Sequence, residues 1–221
     1  PLESSAYGQE AVYNSTIVGA WQGGDYKDAT SNDNDGTATS VSLNTSDMPF
    51  GAAGSWEFGS SDSRVIVSDD STLDLTSTIC VMGWFKCDTD TGAYQGLLTK
   101  RLGTTTNYSL AFDVGGNMDW NYYASGAFRG SSADFSTNFG TGTWYRVVAT
   151  MDSPSNIDTE LLKNTTSLDS DTIVNSISAN SETLKFGNIE NTSGVFTDFE
   201  LDGKMKAWWV LNAIPSDDIL T

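Results

Sequence analysis

The chain has 221 residues, 38% of them hydrophobic and 11% aromatic, which is enough for one large core, and 11 Lys plus Arg against 29 Asp plus Glu leave a formal charge of −18. That acidity sets nucleic acid and membrane insertion aside, since polyanions are repelled and no run approaches 18 consecutive apolar residues. Histidine is absent, which excludes Ser-His-Asp and Cys-His nucleophiles and the commonest zinc and copper ligand, leaving calcium or magnesium as the metals that the oxygen-rich composition permits.

In chain order, residues 1–16 read as a linker from an upstream domain, without the charged and apolar regions of a secretion signal. Strand patterns then follow at 17–21, 55–58, 64–67, 78–86 and 95–100, and continue at 108–114, 118–124, 143–151, 159–163, 183–188 and 204–212. The stretch from Gly23 to Pro49, rich in Asp, Asn, Ser and Thr, reads as one long loop of the kind that has a functional or metal-bound reason to be ordered. Pro215 and Ser216 offer a start for one short C-terminal helical turn. Many short strands with turn chemistry between them and no helical crossovers specify an all-β fold, a two-sheet antiparallel β-sandwich, over residues 17–221. Cys80 and Cys87 fall at the two ends of one strand, on opposite faces and about 23 Å apart, so they cannot pair with each other.

The order of these segments resembles the laminin-G-like, concanavalin A-like jelly rolls of bacterial, archaeal and phage surface proteins. VGAW with DATSNDNDGTAT resembles the opening strand and its Asp-rich loop, and TICVMGWFKCD the central strand with its Trp. GLLTKR, NYSLAFDVGGNMDW, FGTGTWYRVVATMD, LKFGNI and FELDGKMKAWWVLNAIPSDDI follow in the family's order. The resemblance implies a jelly roll and an extracellular, cell-surface or virion-surface location. It leaves function to the site, because this fold carries lectins, adhesion modules and glycan-degrading enzymes alike.

Three constellations bear on that site. Glu200 and Asp202 have the i, i+2 spacing that puts two carboxylates on one face of a strand, but Gly203, Lys204, Met205 and Lys206 follow where glucanases of the superfamily place a further Glu, so no hydrolytic pair is complete. The loop with Asp28, Asp33 and Asp35 reads either as a calcium site or as a run of Asx turns. The resemblance would complete the metal site from the last long strand, where Lys206 stands at the matching position and Asp202 lies nearby. For glycan stacking, Trp21, Trp56, Trp84 and Trp144 are assigned to the core. Trp120, Asn121, Tyr122 and Tyr123 are offered as the platform, with Trp209, which stands where the family has a polar residue. The expected function is a non-catalytic carbohydrate-binding or adhesion module. The alternative is a structural protein-protein module such as a decoration, fibre or surface-layer component, and a glycan-degrading enzyme is a third reading. The partners expected are a glycan or a surface protein, with self-assembly into a homo-oligomer or larger assembly left open.

Overall fold

A computed structural model describes residues 16–51, 53–89, 92–102, 105–124, 127–152, 157–173, 177–190 and 200–215. The strands of its first half are β1 (Ile17–Trp21), β2 (Gly36–Thr39), β3 (Ser42–Asn44), β4 (Ser55–Phe58), β5 (Arg64–Val67), β6 (Thr78–Cys87), β7 (Gln95–Leu102) and β8 (Thr105–Phe112). Those of its second half are β9 (Asn117–Ala124), β10 (Ala127–Asp134), β11 (Trp144–Asp152), β12 (Ile157–Lys163), β13 (Thr166–Ile173), β14 (Leu184–Phe186) and β15 (Gly203–Leu211). They form two antiparallel sheets. Sheet A runs β13-β12-β11-β6-β15-β4-β3 with β1 also on β15, and sheet B runs β10-β9-β8-β7-β14-β5-β2. The two-sheet β-sandwich expected from the strand pattern is therefore the fold. The proposed linker and C-terminal turn lie, but for Thr16 and Pro215, outside the described residues.

Alternation explains the core. Along β6, Ile79, Val81, Phe85 and Cys87 enter the main cluster between the sheets, while Cys80 and Met82 join a second cluster on the outer side of sheet A. The two thiols thus occupy opposite faces, are both buried, and are not bridged to each other. Gly83 shares the inward parity, and a Cβ there would meet the Trp208 ring at 2.3 Å, so the missing side chain is the seat of that indole. In β15 the pairing register slips between Lys206 and Trp209, at Ala207, whose φ of 52 is left-handed. The resulting bulge restarts the alternation: Met205, Trp208 and Val210 point inward, and Lys206 and Trp209 outward.

Trp21, Trp56, Trp120 and Trp208 are fully buried, and each satisfies its indole N–H on a carbonyl, those of Asn34, Asp25, Thr150 and Trp84 respectively. Four strands were not among those expected from the sequence pattern. β2 and β3 lie inside the stretch read as one loop, and β10 and β13 are polar strands at the open ends of the two sheets, where half the pairing positions face water. They meet where the Ser132 amide donates to the Asp169 carboxylate. A short helix α1 (Phe135–Asn138) follows β10, with Asp134 accepting from the Thr137 amide as its N-cap.

Candidate functional site

The residues offered as one glycan platform are distributed over three environments. Met118, Trp120 and Tyr122 do share a face of β9, as their spacing requires, but that face is the inner one, and both Trp120 and Tyr122 are 0% exposed. They are core residues and cannot stack on a sugar, because parity says which residues share a face and not which face is inside. Asn121 points the other way, onto the outer face of sheet B, opposite Ser109 on β8. The side chain of Tyr123 lies outside the described part of the structure. Trp209 does point outward, but from sheet A, on the far side of the sandwich, where it covers the cluster of Cys80, Met82, Val148, Leu162 and Leu211.

The carboxylates of Asp28 and Asp35 in the Asp-rich loop have partners within the chain. Asp28 is 8% exposed, and its carboxylate accepts from the amides of Ala20, Thr30 and Asn34 and from the Thr30 hydroxyl. Four donors occupy about all the lone-pair positions that a carboxylate has. Asp35 accepts from the Asp28 amide and is ion-paired to Lys27, a bond that holds its carboxyl below the ordinary value. Asp33 is exposed, in a left-handed conformation with φ 55. Asp202 sits at the opposite end of β15 from Trp208, whose partner Trp21 bridges to Asp28, roughly 20 Å away along the strand. No group of three or more metal-ligating side chains converges among the described residues. The bonds from the Thr30 amide and hydroxyl to Asp28 are those of an Asx-type turn. Glu200 and Asp202 likewise precede β15 instead of lying on it, so strand alternation does not bring the two carboxylates together.

A different surface gathers chemistry. Three neighbouring strands of sheet A carry an outward row of Lys204, Lys86 and Trp144, with Glu57 of β4 paired to Lys204. The next row is Lys206, Trp84 and Arg146. Trp84 and Trp144, assigned above to the core, are partly exposed here, because Phe85 and Tyr145 take the inward positions. The 45–51 segment folds over the rows. Asp47 accepts from Lys86 at 2.6 Å and from the Trp144 indole at 2.9 Å, two bonds that hold its carboxyl below the ordinary range. Lys204 reaches Asp88 at 2.7 Å and Glu57 at 3.3 Å; burial pushes its ammonium down, but these pairs outweigh it and leave the value raised. Phe50, 45% exposed, stands edge-on to Trp84 with ring centroids 5.6 Å apart, and Lys206 Nζ lies 5.2 Å from the Phe50 centroid. Phe50 and the wrapping segment had no sequence signal. Trp84 had one in Gly83, whose inward parity forces its neighbour out.

The opposite surface is different. On the outer face of sheet B the central row of Lys185, Thr99 and Ser109 is fully buried, with Lys185 paired to Glu190 at 2.6 Å and Thr99 bonded to the Asn188 carbonyl. Ser109 Oγ and Asn121 Oδ1 find no partner among the described residues.

No family model and no curated protein sequence matches the chain. Solved structures do share its fold. The receptor-binding domain of botulinum neurotoxin C/D mosaic serotype superposes with a TM-score of 0.73 at 15% identity over 94% of this chain and 50% of that one. The binding domain of botulinum neurotoxin DC, in complex with rat synaptotagmin II, gives 0.67 at 12% identity over 94% and 51%. Domain 4 of AbnA, an extracellular GH43 arabinanase from Geobacillus stearothermophilus, in complex with arabinotriose, gives 0.68 at 14% identity, covering 93% of this chain and 97% of that one. The chain thus spans about half of the neurotoxin domains and nearly all of the arabinanase domain. One of these structures holds a saccharide, arabinotriose, and another a protein, rat synaptotagmin II.

Proposed function

We propose that the chain is a non-catalytic carbohydrate-binding or adhesion module of the laminin-G-like, concanavalin A-like type, displayed on a cell or virion surface. Its ligand face in this reading is the open half of the outer face of sheet A. The observation that carries it is the alignment of Trp84, Trp144 and the exposed Phe50 on adjacent elements, interleaved with lysines and carboxylates that can take sugar hydroxyls. The neighbouring folds support a binding role, and the surplus of acids over bases suits a protein that must stay dispersed in a salty medium. No helix among the described residues is long and apolar enough to cross a membrane.

A glycan array probed with the intact chain tests the reading, followed by Trp84→Ala and Trp144→Ala. Each variant is expected to weaken the best hit by about tenfold, a stacking loss on the order of 1 to 3 kcal/mol by analogy with base stacking. A blank array overturns it. The alternative, a structural protein-protein module, draws on Leu43, 45% exposed on edge strand β3 of the same sheet. Concentration-dependent self-association abolished by Leu43→Lys, with no glycan bound, would select it.

A further inference from the structure

Lys206 is the exception among the buried or nearly buried lysines. Lys86 faces Asp47 and Asp88, Lys100 faces Asp69 and Asp74, Lys185 faces Glu190, and Lys204 faces Asp47, Glu57 and Asp88. Lys206 is 2% exposed, and among the described residues no carboxylate lies within 4.0 Å of its nitrogen, in a chain with 29 Asp plus Glu. Its Nζ has the Met48 thioether at 3.6 Å and the Phe50 ring. A thioether is a weak acceptor and an ammonium has three donors, so the charge is poorly compensated from within. A methionine would fill the same space without that cost. A buried charge kept where the fold gains nothing from it points to a counter-charge that arrives from outside.

Gly51 marks the side it would come from. Gly51 is exposed with φ 64, and a Cβ built on it would have Lys206 Nζ at 4.0 Å and, its chain neighbours aside, no other described heavy atom within that distance. The ammonium therefore lies just beneath the exposed Gly51 backbone, close to Phe50, which in turn packs edge-on to the partly exposed Trp84. We propose that Lys206 receives, on its Gly51 side, the carboxylate of an acidic saccharide, a hexuronate or a sialate, while the sugar ring packs against Phe50 and Trp84. The inference rests on the binding reading above and names the ligand class for the same face. The acidity of the whole chain does not oppose it at short range, because unit charges are screened beyond roughly 8 Å at physiological salt.

The test is titration calorimetry in physiological salt with trigalacturonate, its methyl ester, sialyllactose and lactose. Three proteins are compared: the wild type, Lys206→Met, and Gly51→Asp, in which a residue type that tolerates left-handed backbone brings an internal carboxylate to the ammonium. The wild type is expected to bind at least one acidic sugar about tenfold tighter than its neutral counterpart, the scale of one charge-assisted hydrogen bond. Both variants should lose that preference, and Lys206→Met should keep the neutral affinity. Equal wild-type affinity for acidic and neutral partners overturns the ligand class and leaves the binding reading standing. So does a preference that survives in both variants. Absence of binding to all four sugars together with a blank glycan array overturns both, and if a polyglutamate peptide, titrated as a fifth ligand, then binds alone, Lys206 is assigned to a protein ligand instead.

Discussion

The two outer faces of the sandwich are built from the same strand alternation and end in opposite states. On sheet B the central row is polar but sealed: Lys185, Thr99 and Ser109 are fully buried, and the lysine is neutralised by Glu190. On sheet A the apolar half is sealed under Trp209, while the other half leaves two indoles and Phe50 partly in water, beside a lysine with no carboxylate among the described residues. Polar residues therefore do not mark the exposed face of this protein. Water reaches the face that is aromatic and cationic, and that arrangement costs stability unless something binds there.

The sharpest break of this comparison is a pair of truncations. Trp120→Ala, in the core, is expected to cost about 3–5 kcal/mol by chemical denaturation, whereas Trp84→Ala should cost about 1 kcal/mol. Equal costs would mean that the sheet A face is as closed as the interior. Asp28→Ala strands the amides of Ala20, Thr30 and Asn34 and should cost about 3 kcal/mol. Millimolar calcium should leave the melting temperature of the wild type unchanged after EDTA treatment, and a rise of several degrees would select the metal reading of the loop.

Lys206→Met should stabilise by about 1 kcal/mol at neutral pH. Burial holds this ammonium below the ordinary lysine value of 10.5, so the folded state gives up the proton before the unfolded chain does. The cost is full below the folded value and fades as pH rises toward 10.5, and the advantage of the variant should shrink over that window. A gap between variant and wild type that widens with pH would mean that the ammonium is compensated. The smallest effect belongs to sheet B, where Ser109→Ala removes a hydroxyl with no partner among the described residues and should change stability by less than about 0.5 kcal/mol.

The sandwich itself was legible because apolar alternation and turn residues act locally, and so was the placement of Cys80 and Cys87 on opposite faces. Burial pushes the Cys80 thiol up to about 12, which fits a side chain closed to solvent. What alternation does not decide is which face is inside. Trp84 and Trp120 exchanged places for that reason, although Gly83 held the answer, since a glycine in a run of large inward residues marks where another strand's side chain must fit. The bulge at Ala207 was hidden because a non-glycine residue takes the left-handed conformation there. Lys206 could not be recognised from sequence at all, since its isolation depends on how a segment some 158 residues earlier wraps the sheet.

The most direct measurement is to follow the indole N–H signals of the seven Trp residues by heteronuclear NMR while titrating the best ligand from the array. The account predicts that the Trp84 and Trp144 signals move in proportion to occupancy and that those of Trp21, Trp56, Trp120 and Trp208 stay fixed. Shifts confined to backbone amides around Asn121 and Ser109, with both sheet A indoles unmoved, would place the ligand on the other side of the sandwich and contradict it.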